Sequence, residues 1–373
     1  MRKILAVILT VALLTATFAC AEGMVDIASL DMNAITAENV ILLPDAFQGK
    51  SNEFSLSNAW YLLSAFNQQD GKQQKALAES LGYTVIRQEF YDKPLTDYSH
   101  TSAYTLAKKE MNVRGEARTA AVIGIRATGD AEWYSNFDFA GENGSACLYA
   151  ENFMAAAQTV FDHVKPDLDA MENPVIMVTG YSRGAATANL LGTLLNDAYG
   201  TEDIYVYTFA TPNTVRFEKE GCSNIFNLVN DNDCITHMPL ESWGFSRAGV
   251  DVVMKDETVK TSLSDMMFLT MRMLCPDIDA FYQDRHNLAA PGLSDTGMTA
   301  LEFLQTLSEM LTNPQGMNLN AKKLMAMMTQ SKNDFSAFFT VFAQLVMNGS
   351  EANGLLGQHM PQVYVGLMNG ISK

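Results

Sequence analysis

One short run constrains this chain more than any other. Val175-Ile176-Met177-Val178-Thr179 is continuously apolar and ends on Gly180-Tyr181-Ser182-Arg183-Gly184, and an alanine- and leucine-rich segment follows over residues 185–198. A strand with no polar alternation belongs inside a sheet covered on both faces. The pentapeptide that follows it is a GxSxG. Alone that motif is weak, but at a strand-to-helix junction it has a physical purpose. Such a turn would hold Ser182 in a strained conformation with its hydroxyl exposed. The glycines on either side would let strand and helix approach without Cβ clashes. The helix N-terminus would then face any negative charge developing beside the serine.

The rest of the chain supports such a sheet. Residues 103–107, 119–125, 204–209 and 225–229 read as further strands, with helices expected over 150–164 and 185–198. Strands spaced by helices imply βαβ units, an α/β class with a mostly parallel central sheet flanked by helices. Residues 22–100 read as mainly helical, around 57–66 and 73–81. More than half of the 22 methionines follow Cys234, in a stretch that reads as helical. Methionine is an ordinary core filler and also makes adaptable apolar walls. A single domain over residues 22–373 is expected, with its core at about 100–245 joined by 351–373. A helical C-terminal cap or insertion would occupy about 262–350.

Of the 373 residues, 48% are hydrophobic and 18% charged, which suits a large buried core. The formal net charge of −17 argues against phosphate-backbone binding, which depends on clustered Lys and Arg. No nucleic-acid partner is expected. The N-terminus is laid out as an export signal over residues 1–21. Arg2 and Lys3 precede an apolar stretch at 4–18, and Ala19-Cys20-Ala21 precedes Glu22. Cleavage there would give a secreted or periplasmic protein. Acylation at Cys20 is the alternative and would give a lipoprotein, although Thr17 stands where such sites usually carry Leu. Cys147, Cys222, Cys234 and Cys275 allow two disulfides or buried thiols. Their spacing fits no metal site, and GxGxxG, P-loop and HExxH motifs are missing from the sequence, so neither metal nor cofactor is expected.

A serine hydroxyl needs a base, and the base needs an orienting acid. In elbow-type hydrolases the chain order is Ser, then Asp or Glu, then His, with the acid in a loop after a later strand. Residues 225–229 run into Asn230-Asp231-Asn232-Asp233, so both aspartates are candidates. Of five histidines, His100 and His163 precede Ser182, and His237 is too close to Asp233 to come from a separate loop. His286 and His359 remain. His359 lies in Gly357-Gln358-His359-Met360-Pro361, a loop signal before an apolar C-terminal segment.

Several stretches, in order, resemble class 3 (fungal-type) lipases of the α/β-hydrolase superfamily. Ile125-Arg126-Ala127-Thr128, followed by Glu132-Trp133 and Asn136-Phe137, resembles their FRG[ST]…W segment. Residues 179–186 (TGYSRGAA) look like their TGHSLGGA elbow, and 207–212 (YTFATP) are similar to their YTFGxPR strand end. Residues 230–239 (NDNDCITHMP) resemble their acid loop, and His359 with Tyr364 looks like their late H…Y segment. The resemblance implies an α/β-hydrolase fold and gives each residue a role. Ser182 would be the nucleophile, Asp233 rather than Asp231 the acid, and His359 the base. Thr128 and the amide of Arg183 would be the oxyanion donors. Residues 129–139 fall where the family carries a short lid, with Trp133, Phe137 and Phe139 as its apolar face. The chain departs from the family pattern at Tyr181 for His, Arg183 for Leu and Ala127 for Gly. None of these removes a catalytic atom.

The expectation is an exported serine ester hydrolase of lipase or carboxylesterase type. Its substrate would be a small-molecule or lipid ester of an apolar acid, hydrolysed through an acyl-enzyme with transient contact to a lipid surface. A thioesterase or acyltransferase would use the same three residues, and a binding protein without turnover could keep the fold. An intact Ser, Asp and His in the right order speak against the last.

Overall fold

The computed structural model describes residues 46–94, 97, 99–129, 132, 134–137, 147–217, 220–239, 241, 244–254 and 357–371. The expected export signal, the expected helical insertion, His286 and Cys275 lie outside these residues. Among the described residues seven strands form one sheet in chain order: β1 (Thr84–Glu89), β2 (Tyr104–Val113), β3 (Glu116–Ile125), β4 (Val175–Tyr181), β5 (Ile204–Phe209), β6 (Ile225–Asn230) and β7 (Val250–Met254). β1, β2 and β3 pair antiparallel, and β3 through β7 pair parallel. The helices that flank them are α1 (Leu56–Ala65), α2 (Gly71–Ser80), α3 (Glu151–Asp169), α4 (Arg183–Tyr199) and α5 (Pro361–Ile371).

β4, β5 and β6 are buried at every position, as continuous apolar runs require. Alternation along β5 shows what covers each face. Val206 meets α4, where Gly192 has no side chain and lets the helix close on Val206 and Ile225. Tyr205 and Tyr207 point the other way, towards α1 and the chain before it. Tyr205 Oη donates to Gly49 O (2.8 Å), and Tyr207 Oη accepts from Ser55 N (3.0 Å). Ser55 also caps α1, accepting from Asn58 N, and Asp70 caps α2 in the same manner. A mostly parallel sheet with helices on both faces and a strand-turn-helix elbow after β4 is the α/β-hydrolase fold.

Several elements exceed the sequence expectation. β2 and β3 continue beyond the apolar residues into a polar hairpin closed by Arg114-Gly115, both at positive φ (51° and 83°), the geometry of a two-residue primed turn. The segment before residue 100 contains β1 as well as helices, and β7 adds a far edge. α3 runs past Val164 to Asp169 with Pro166 inside it. Pro166 is exposed, so the backbone carbonyl it leaves without a helical partner can turn to water. Among the described residues no helix is long and apolar enough to cross a membrane. The ends of β3, β4 and β6 lie along one rim of the sheet and lead into Thr128, Ser182 and Asp233.

Candidate active site

Ser182 joins β4 to α4 with φ 56° and ψ −123°, a conformation that costs a non-glycine residue of order 1–3 kcal/mol. Its amide donates to Phe209 O (2.9 Å), so the neighbouring strand holds the turn in place. Both flanking glycines are required. A Cβ on Gly180 would sit 2.3 Å from Gly184 O, and one on Gly184 would sit 2.4 Å from the carbonyl oxygens of Ile125 and Arg126. The second contact brings the first turn of α4 against the end of β3.

Asp233 is fully buried in the turn after β6. Its Oδ1 accepts from Ile235 N (2.9 Å), and its Oδ2 lies 2.7 Å from His359 Nδ1 and accepts from Tyr364 Oη (2.7 Å). His359 Nε2 lies 2.7 Å from Ser182 Oγ. An ionised carboxylate can only accept, so Nδ1 carries the proton and Nε2 is left to accept from the serine hydroxyl. The structure therefore brings Ser182, His359 and Asp233 into one hydrogen-bonded line. Asp231 is tied through its backbone, its amide donating to Met254 O (3.0 Å) and its carbonyl facing His237 Nε2 (3.3 Å).

Four further residues hold this line. Tyr364 Oη accepts from Asn230 N (3.1 Å), which sends its own proton to Asp233. Burial, and then the charge of Asp233, push the Tyr364 phenol well above its usual value, so it stays a neutral donor. Tyr181 Oη donates to His359 O (2.6 Å), and its ring meets that of Tyr364 edge-on at 5.5 Å. Asn230 Nδ2 donates to Gln358 O and Oε1 (3.1 and 2.9 Å), fastening the His359 loop to the end of β6. Of these four, the sequence reading singled out Tyr364 and noted Tyr181 as a departure. Asn230 and Gln358 look like ordinary turn residues until the fold joins them.

The opposite wall is ionic. Arg183, the residue after the serine, extends a guanidinium that is 1% exposed into a cluster with Glu132 and Arg126. Glu132 Oε1 lies 3.3 Å from Arg126 Nη2, and its Oε2 lies 4.0 Å from Arg183 Nε. Gly129 N donates to Glu132 Oε2 (2.6 Å), pinning the chain just past Thr128. Burial lowers Arg183 to about 10, with Glu132 opposing that shift, so the group is still charged at neutral pH. Of the expected lid, Tyr134–Phe137 form a short 3-10 turn and Glu132 faces inward, while Trp133 and Phe139 lie outside the described residues. The amide of Arg183 is one of the N-terminal N–H groups of α4 that have no helical acceptor.

Residues 122–243 match a known family model, that of lipase (class 3). That stretch of the chain is similar to the class 3 lipases. The matched stretch runs from β3 past Asp233 and stops short of His359, which comes from the chain's far end. No protein of curated function matches the chain. Solved structures similar to it include the Rhizomucor miehei lipase propeptide complex, at 18% identity and TM-score 0.34, over 50% of this chain and 64% of that one. Rhizopus microsporus lipase gives 18% and 0.34, over 50% and 66%. A triacylglycerol lipase whose catalytic centre is described as a serine protease triad gives 19% and 0.32, over 48% and 69%. The class 3 lipase match and the groups in the site agree on a serine ester hydrolase of lipase type.

Proposed function

We propose that the chain is an exported lipase or carboxylesterase that hydrolyses esters of apolar acids through an acyl-enzyme. The observation that carries this reading is the unbroken line Ser182 Oγ, His359 Nε2, His359 Nδ1, Asp233 Oδ2, with both contacts at 2.7 Å. His359 takes the serine proton as Oγ attacks the ester carbonyl carbon, and Asp233 stabilises the imidazolium that results. The tetrahedral oxyanion accepts from the Arg183 amide and the Thr128 hydroxyl. Collapse breaks the bond to the alkoxy oxygen, which leaves with the proton from His359. Water then repeats the sequence on the acyl-enzyme and frees Ser182. Export rests on the leader-like residues 1–21, and a lipid ester substrate with transient contact to a lipid surface on the class 3 lipase match.

A thioesterase or acyltransferase would differ only in the leaving group or the acceptor, and a binding protein would not turn over. Ser182→Ala separates the last from the rest. The variant should lose on the order of 10⁴ or more in the rate of p-nitrophenyl butyrate hydrolysis while keeping its far-UV circular dichroism. A near-wild-type rate would remove Ser182 from the mechanism.

A further inference from the structure

We propose that the Arg183 guanidinium is a positioning residue that aims the Thr128 hydroxyl into the oxyanion site through Asn136. The inference rests on the hydrolase reading above and assigns a role to a side chain that departs from the family pattern. Arg183 Nη1 donates to Asn136 Oδ1 (3.0 Å), and Asn136 Nδ2 donates to Thr128 Oγ1 (3.1 Å). The direction of this relay is fixed by chemistry. A guanidinium has no acceptor, so the Asn136 atom facing it must be the carbonyl oxygen. The NH₂ group must then face Thr128. Thr128 Oγ1 receives that donor, and its own proton is left to point elsewhere, where an oxyanion can take it. Reversing any link would turn the Thr128 proton towards Asn136 and away from the substrate.

The anchor has two further contacts. Arg183 Nη2 donates to Thr101 O (3.0 Å), and the guanidinium lies over the Phe153 ring at 5.7 Å. Glu132 supplies the opposite charge and also holds Gly129 N, beside Thr128. A single residue therefore serves both oxyanion donors, one through its amide and the other through its side chain. An apolar side chain at position 183 could fill the space but could not orient Asn136.

The test is a double-mutant cycle on p-nitrophenyl butyrate hydrolysis, with thermal melting as a check on folding. Thr128→Val keeps the shape, removes the hydroxyl and should lower kcat by about 10²–10³. Arg183→Leu should lower kcat by roughly 10- to 100-fold with KM changed less than about threefold, because only transition-state binding is lost. In the Thr128→Val background the same Arg183→Leu change should cost less than about threefold. If the two losses multiply independently, or if folded Arg183→Leu keeps wild-type kcat, the proposal fails. Should Arg183→Leu not melt cooperatively, Asn136→Leu breaks the same relay and must show the same dependence on Thr128; independent losses there overturn it equally. Fluorophosphonate labelling of the wild type distinguishes the two levels of the argument. Failure to modify Ser182 refutes the hydrolase reading, whereas labelling of Ser182 together with independent losses refutes only the positioning role.

Discussion

Two fully buried carboxylates, Asp233 and Glu132, stand in opposite walls of the site, and their partners differ in kind. Asp233 is surrounded by neutral donors: the Ile235 amide, the Tyr364 hydroxyl and the His359 ring. Glu132 faces two guanidiniums, those of Arg126 and Arg183. Hydrogen bonds from neutral donors orient a carboxylate without cancelling its charge, and the proposed mechanism sets that charge against an imidazolium. The charge of Glu132 is already answered before any substrate arrives, and what it provides is geometry. Under the proposed mechanism, similar burial serves chemistry in one wall and architecture in the other.

The comparison is easiest to break at Asp233. Asp233→Asn should lower kcat by about 10⁴, the loss typical of the equivalent change in serine proteases, while Asp231→Asn should change it less than about threefold. Equal losses in steady-state assays would mean that the charge is not being used as described. Glu132→Gln should act mainly on stability. Removing one member of a buried ionic cluster leaves the others uncompensated and typically costs about 3–5 kcal/mol. A lowered denaturant midpoint, with kcat per folded molecule falling far less than for Asp233→Asn, is the expected pattern. An unchanged midpoint would show that the cluster carries no architecture.

The smallest effect concerns pH. Burial first, and the Asp233 charge second, raise Tyr181 and Tyr364 well above the usual value of 10.0. A raised folded-state value favours the protonated form, so its contribution to stability is complete below pH 10 and is lost as pH climbs above it. The acid wall should therefore loosen only above about pH 10. Absorbance at 295 nm should show these phenols ionising together with unfolding. Titration of all the tyrosines in a protein that stays folded would contradict the burial assigned to them.

The fold was most legible where residues face protein on both sides. Val175 to Thr179 is such a run, and β4, β5 and β6 follow from composition alone. β1 and β7 escaped because edge strands bury little. β1 carries Arg87, Gln88 and Glu89, and β7 leaves Val250 and Val253 exposed. In the polar end of the β2–β3 hairpin only Met111 and Val113 continue the alternation beyond Ala107, too short a pattern to read as a strand. In the site, Ser182 and its glycines announced themselves because a strained turn demands particular residue types. Asp233 and His359 needed the family resemblance, since two aspartates and two histidines met the order rule equally. Arg183 offered a signal of another kind. A charged residue at the first turn of a buried helix requires a buried partner. Nothing in the spacing, however, identified Glu132 and Asn136 as the groups that answer it.

The hydrogen bond between Ser182 and His359 joins residues 177 apart in the chain. The entropy of closing a loop grows only with the logarithm of its length, about 0.6 kcal/mol for each doubling. Seated by Asn230, Tyr181 and Tyr364, the histidine segment docks through local contacts that do not depend on the length of chain leading to it. A longer or shorter segment between β7 and His359 would therefore leave the same three groups within reach of one another.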